Sequence, residues 1–245
     1  MQVDMEDSEL TTMKEKKILQ LSLNKEEIVE LEIATRGQAE SERWHMERKD
    51  RLTASNFGYV CKRQSNKWAP VAKKLLYGDF RSSAMMYGSE NESRAIDCFQ
   101  EKTGLIVEKC GLFVHPIHGF LGASPDGLVG EDSILEIKCP KSAKNMSTQE
   151  ACNNIKNFCI DKKSLKFKKR SDYYYQIQGQ LQLAGKRSCH FVVWTPKDMH
   201  HEIIHDDFWE KNMIQKLVFC YKEVFLPEIL DPRMTRSMRI REPYI

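Results

Sequence analysis

Residues 1–50 are dense in charge, and Ile18, Leu21, Leu23, Ile28, Leu31 and Ile33 recur at a helix-like but irregular spacing. That pattern predicts one or two helices, loosely attached. From Trp44 the chain reads as a continuous domain. Thr53-Ala54-Ser55-Asn56 reads as a helix start, with Thr53 or Ser55 as the cap. Pro70 opens a second helix that runs to Tyr77, because proline suits a first turn. A longer helix spans Ser83–Thr103 and stops at Gly104.

Strand-like patterns then take over. Leu105-Ile106-Val107 and Gly111-Leu112-Phe113-Val114 come first, then 119–130 and 133–139, separated by the turn-like Gly130-Glu131-Asp132-Ser133. Helical pattern returns over Asp172–Ala184, with Gly185 placed to end it. Residues 189–195 form a near-continuous apolar run, as a buried strand requires. Met199–His205 reads as another strand. A last helix covers 207–226, with an aspartate cap and an end at Pro227. This order predicts a mixed α/β (α+β) domain around a central sheet. It divides into a charged helical extension (1–40), the domain itself (41–230) and a tail (231–245), with no internal repeat.

Composition narrows the class. A chain of 245 residues, 41% of them hydrophobic, can bury a core of one largish or two small domains. Lys and Arg number 38 against 35 Asp and Glu, so net charge alone does not argue for nucleic acid. No apolar run approaches a membrane span, and the acidic start lacks the apolar core of a secretory signal. Eight cysteines show no CxxC and no finger-like spacing, which fits reduced thiols in an intracellular protein.

The chemistry concentrates in Ser124-Pro125-Asp126-Gly127-Leu128 and Leu135-Glu136-Ile137-Lys138-Cys139-Pro140. In a strand, residues two apart share a face, so Glu136 and Lys138 point one way while Leu135 and Ile137 point the other. Asp126 and Glu136 lie equally far from Glu131 in the turn. Pairing about that point sets the two carboxylates opposite each other, with Cβ atoms ~5 Å apart. Their repulsion needs compensation, and a hard divalent cation supplies it simply. Lys138 beside them can hold a phosphate or a water. Carboxylates, metal and lysine together are the parts that phosphodiester hydrolysis requires. The plainer alternative is a surface hairpin in which Lys138 pairs with a neighbouring acid.

These segments resemble the PD-(D/E)XK signature, and their setting resembles the YqaJ-type viral recombinase, or lambda exonuclease, family. Trp44-His45-x-x-Arg48 leads to Thr53-Ala54-Ser55. Gly88-x-x-x-Glu92-x-x-Ala95-x-x-x-Phe99 resembles the family's helix, and Tyr175-Gln176-Ile177-Gln178 its glutamine motif. Together the elements span about 44–195. The resemblance implies a restriction-endonuclease-like core, a central mixed sheet flanked by helices. It implies a Mg2+- or Mn2+-dependent 5′→3′ exonuclease on duplex DNA ends. Asp126 and Glu136 would be metal ligands, with Glu92 a further acid. Lys138 and Gln176 would act on the attacking water or the phosphate, with Gln178 as second choice. Arg48 and Ser55 match positions that bind a DNA terminal phosphate, although Ser55 also reads as a plain cap. It further implies a ring trimer and a single-strand annealing partner. One position departs: His115-Pro116-Ile117-His118 has no acid where lambda-type enzymes carry one.

Lys162, Lys163, Lys166, Lys168, Lys169 and Arg170 add six positive charges just before the glutamine helix. Near the acidic hairpin they would track a phosphate backbone; otherwise they form a solvated loop or a nuclear-localisation-like patch. His201-Glu202-Ile203-Ile204-His205 fits the H-E-x-x-H protease pattern but falls in a strand, where that chemistry needs a helix. Tyr173-Tyr174-Tyr175 could stack on bases or simply pack in the core. No phosphate-binding glycine loop is present. Beside the exonuclease stand a DNA-binding recombination-accessory module with an impaired nuclease site and an endonuclease on the same core.

Overall fold

The computed structural model describes residues 3–63, 67–78, 82–207, 209 and 213–243. Four helices lead in: α1 (Asp7–Leu21), α2 (Lys25–Ala34), α3 (Glu42–Lys49) and α4 (Phe57–Cys61). Asn24 and Glu27 form a reciprocal capping box that starts α2. Neither Thr53 nor Ser55 makes a capping bond; a short 3-10 turn, Ala54–Asn56, enters α4 instead. Next come α5 (Ala69–Tyr77) and the long α6 (Ser83–Thr103), and further along the chain α7 (Thr148–Asn154) and α8 (Asp172–Ala184). Gly104 and Gly185, with φ of 70° and 63°, end α6 and α8 in the left-handed conformation that glycine adopts most readily.

A small sheet, ordered β1-β3-β2, joins β1 (Leu52–Thr53), β2 (Phe113–Val114) and β3 (Leu121–Ala123). Strands β4 (Gly127–Val129), β5 (Ser133–Lys138), β6 (Ser188–Trp194) and β7 (Met199–His205) form the main sheet in that order. β5 and β6 run parallel, and the other neighbours run antiparallel. The parallel pair requires a crossover, which α7 and α8 provide. Segment 105–107 is not a strand. Only the residue after it bridges β4, through paired backbone bonds between Glu108 and Leu128.

The main sheet is sandwiched. Leu135, Ile137 and Val192 pack with Ala95 and Phe99 of α6 on one face. Ile134, Phe191 and Val193 pack with Ile177 and Leu181 of α8 on the other. Helix α8 also lies close on α4: a Cβ on Gly179 would stand 2.4 Å from the Phe57 ring, so only glycine permits this approach. Phe57, Val60 and Tyr221 anchor a third core, where Phe120 and Tyr221 stack at 4.3 Å. Filling such sites with rings contributes roughly 2–3 kcal/mol each.

The N-terminal stretch is docked against the domain. Leu21 and Leu31 are buried, the latter beside Leu112 and Val114. Residues 208 and 210–212 of the last predicted helix lie outside the described residues. Beyond them run α9 (Ile214–Phe219), a wider π-helical stretch (Cys220–Phe225) and α10 (Leu226–Leu230). Pro227 therefore does not end the helical run. It sits in the first turn of α10, directly after the wider winding, where the regular i→i−4 ladder is already interrupted. No helix among the described residues is long and apolar enough to cross a membrane.

Candidate active site

The β4–β5 hairpin pairs Gly127 with Leu135 and Val129 with Ser133. Continued by one step, that register sets Asp126 opposite Glu136. Asp126 anchors the arrangement itself: its N–H donates to Leu135 O at 3.0 Å, and its Oδ2 accepts from Ile137 N at 2.6 Å. Glu136 is 1% exposed and points toward α8. Its Oε1 accepts from Lys138 Nζ and from Gln176 Nε2, the latter at 2.6 Å. Its Oε2 accepts from Gln180 Nε2 at 2.6 Å. A buried carboxylate is tolerable only with such donors.

Asp126, Lys138 and Glu92 (from α6) line a cleft of about 620 Å³, with Tyr173 on its wall. The Lys138 ammonium lies 4.7 Å from the centre of the Tyr173 ring, a cation–π contact. Burial would lower the Lys138 pKa, but Glu136 and Asp126 outweigh it and hold the ammonium above its usual range. Burial, then Glu136 and Glu92, push Asp126 well above the carboxylate range. Burial and then Glu136 raise Glu92 as well.

Among the described residues no three His, Cys, Asp or Glu side chains already stand close enough to share one ion. The donor set nevertheless suits a hard divalent cation. Asp126, Glu136 and Glu92 offer only oxygen, and a cation would relieve the repulsion that raises Asp126 and Glu92.

Arg48 lies beside the hairpin's entry. Its Nη1 donates to Ser124 Oγ at 3.3 Å, and its guanidinium stacks 4.1 Å over Trp44. Trp44 Nε1 donates to the same hydroxyl at 2.9 Å. Burial lowers Arg48 to about 10, with no acid offsetting it. A guanidinium so placed is suited to an incoming anion. Ser55 is exposed, with its Oγ 3.2 Å from Thr53 Oγ1.

Gln178 does not join the carboxylates. It is fully buried; its Nε2 donates to His205 O at 2.9 Å, and its Oε1 accepts from Asp207 N at 3.0 Å. The glutamine that joins Gln176 at Glu136 is Gln180, which the sequence motif does not single out. Its signal was available: Gln176 and Gln180 are four apart, hence on one helix face, whereas Gln178 is about 200° round. Tyr173 faces the cleft, while Tyr174 packs in the α8 core.

The basic segment is an ordered loop rooted at the cleft wall, where Phe158 and Cys159 stand. Asp161 nucleates its turn by accepting from the N–H groups of Lys163 and Ser164. Lys162, Lys163, Lys166 and Arg170 are exposed. Lys168 instead donates to Phe158 O, and Lys169 pairs with Asp207 at 2.8 Å. His201 and His205 lie on β7, not on a helix. His115 and His118 form a turn, in which His115 Nδ1 accepts from the N–H groups of Ile117 and His118.

This hairpin, its flanking helices and the mixed sheet define a PD-(D/E)XK exonuclease-like fold. The YqaJ-like viral recombinase domain matches residues 43–187, more than half of the chain, and the chain belongs to that family. Among solved structures, an alkaline exonuclease (LHK-Exo) from Laribacter hongkongensis is 29% identical, with a TM-score of 0.55 over 68% of this chain and 83% of that one. LHK-Exo in complex with dAMP is 27% identical, with a TM-score of 0.52 over 74% of this chain and 87% of that one. A phage-related exonuclease from Haemophilus somnus 129PT, at 16% identity, shares the fold, with a TM-score of 0.50 over 74% and 95% of the two chains. No curated protein matches the chain.

Proposed function

We propose that the protein is a metal-dependent DNA nuclease that digests duplex ends 5′→3′. The observation that carries this reading is the buried Glu136, ion-paired with Lys138, which lines the cleft together with Asp126 and Glu92. The chain's likeness to an alkaline exonuclease supports it. Asp126, Glu136 and Glu92 would hold Mg2+ or Mn2+. When bound, such a cation supplies charge neutralisation at the phosphodiester and a more acidic water.

The chain's own residues do the rest. Lys138, kept cationic by its acids, orients a water or a phosphate oxygen as a point charge. Gln176 and Lys138 hold Glu136 in place. Arg48 and Ser124 receive a terminal phosphate, which sets the end of the strand relative to Asp126, two residues on. Lys162, Lys163, Lys166 and Arg170 attract the backbone leading to the cleft. The reading extends to a ring of three copies and to an annealing partner for the strand left behind; mass photometry tests the first.

The deciding experiment digests linear duplex DNA, 5′-phosphorylated and labelled at either end, with Mg2+ or Mn2+. Wild type and Lys138→Ala run side by side. Metal-dependent loss of 5′ label by wild type alone is expected. Binding without cleavage under either metal would sink the enzyme reading and leave a DNA-binding accessory module. Nicking of a closed circle would convert it to an endonuclease.

A further inference from the structure

Gln176 and Gln180 stand one turn apart on α8 and hold one oxygen each of the same carboxylate. Lys138 shares Oε1 with Gln176, whereas Gln180 donates to Oε2. Gln180 is 1% exposed, and its own Oε1 is buried with no hydrogen-bond partner among the described residues. Such an orphan acceptor is costly and rare in a folded protein. Reversing the amide would not help, because its oxygen would then face a carboxylate.

Packing does not explain the residue. Its helix neighbours Ile177 and Leu181 fill the interface with the sheet as plain hydrocarbons. A methionine at 180 would occupy the same volume and remove that orphan, but it would leave Oε2 of Glu136 without its donor. The structure thus retains a poorly satisfied glutamine for its one well-made bond, the one to Glu136.

We infer that Gln180 is a positioning residue: it pins Oε2 of Glu136, so that the carboxylate cannot turn about its side-chain axis and keeps one orientation toward Asp126 and the cleft. This rests on the nuclease reading, since a fixed acid matters only if it acts. Removing such an outer hydrogen bond typically costs about 10–100-fold in metal affinity or activity.

The test uses the full chain with Gln180→Met and Gln180→Asn. Met removes the donor at constant volume; Asn keeps the amide but is one methylene too short to reach. Initial rates on end-labelled linear duplex give kcat and KM, and thermal melts are recorded with and without Mn2+. The expected result is a metal-free Tm within a few degrees of wild type, because the lost donor to Glu136 and the removed orphan of Gln180 offset each other. With it should come a kcat lower by about 10–100-fold, a KM for DNA within about twofold, and a Mn2+ midpoint for thermal protection raised by about tenfold. Wild-type kcat in both variants overturns the inference. So does a loss of kcat matched by a fall in metal-free Tm of much more than a few degrees with an unchanged Mn2+ midpoint, which is the mark of a structural role. Inactive wild type would end the nuclease reading by itself. The Mn2+ midpoints then decide separately, and unchanged midpoints overturn the positioning role. If Gln180→Met does not fold, Gln180→Asn carries the same readings.

Discussion

Lys138 and Glu136, two residues apart on β5, project from one face of the sheet and form an ion pair, 22% and 1% exposed. The pair joins an accessible cation to a buried anion, and their roles separate on mutation. Lys138→Ala leaves Glu136 with its two amide donors but no counter-charge. Cleavage should fall by about 10²–10⁴-fold. Lys138→Met should be equally inactive and should melt below wild type without metal, because the buried Glu136 loses its counter-charge while the aliphatic stem is kept. Activity retained in Lys138→Met would remove the lysine from the chemistry.

Burial, and then the like charges of Glu136 and Glu92, hold the pKa of Asp126 high. A raised carboxyl favours the neutral fold, so its contribution to stability is full at low pH and is lost as pH rises through the folded pKa. Asp126→Asn should therefore raise the Tm of the metal-free protein at pH 8, by a few degrees, while abolishing cleavage. The amide oxygen can still accept from Ile137 N. A lower Tm in the variant would show that the carboxylate stabilises the fold.

Arg48 is the half-buried cation at the hairpin entry. Arg48→Ala should erase any preference for 5′-phosphorylated over 5′-hydroxyl ends, a loss of about tenfold or more for the phosphorylated substrate. Rates on hydroxyl ends should stay close to wild type. Equal losses on both substrates would instead assign Arg48 to holding Trp44 and Ser124.

The exposed lysines of the loop should act through the backbone of DNA rather than through its sequence. Replacing Lys162, Lys163 and Lys166 with Gln should flatten the slope of log affinity against log salt by about 0.9 for each phosphate that is no longer neutralised. An unchanged slope would make the loop a solvated surface turn.

His115, in the turn before β3, should contribute to the loss of stability in acid. Burial, and then His118, lower its pKa to about 4, and its Nδ1 must stay unprotonated to accept two N–H groups. A lowered histidine stabilises fully above its unfolded value near 6.5, and that stability is lost as pH falls toward 4. His118, His190 and His201, also lowered, add to the same limb. Tm should fall across that window, and His115→Asn, which keeps an acceptor for the turn, should flatten part of the fall. A parallel curve in the variant would exclude His115.

Much of this site is legible in the sequence. Two-residue periodicity and the symmetry of Asp126 and Glu136 about Glu131 place the acids opposite each other. The glycines at 104 and 185 mark the ends of α6 and α8 where they occur. Five motifs in order point to the YqaJ-like family that the chain's match to that domain shows. These features are local: they follow from backbone sterics and hydrogen bonding within a few residues, which sequence encodes directly.

Tertiary structure decided the rest. Which glutamine of α8 reaches Glu136 depends on the rotation of that helix against the sheet, and the contacts of Gly179 with Phe57 and of Ile177 and Leu181 with the core set that rotation. It turns Gln180 inward and sends Gln178 to His205 and Asp207. Likewise the charged N-terminus reads as an appendage until Leu21 and Leu31 find pockets made by residues far along the chain. Pro227 reads as a stop until a π-helical stretch stands before it and interrupts the regular ladder. Sequence determined the elements and the chemistry they carry; long-range packing, which no short window contains, determined which faces meet.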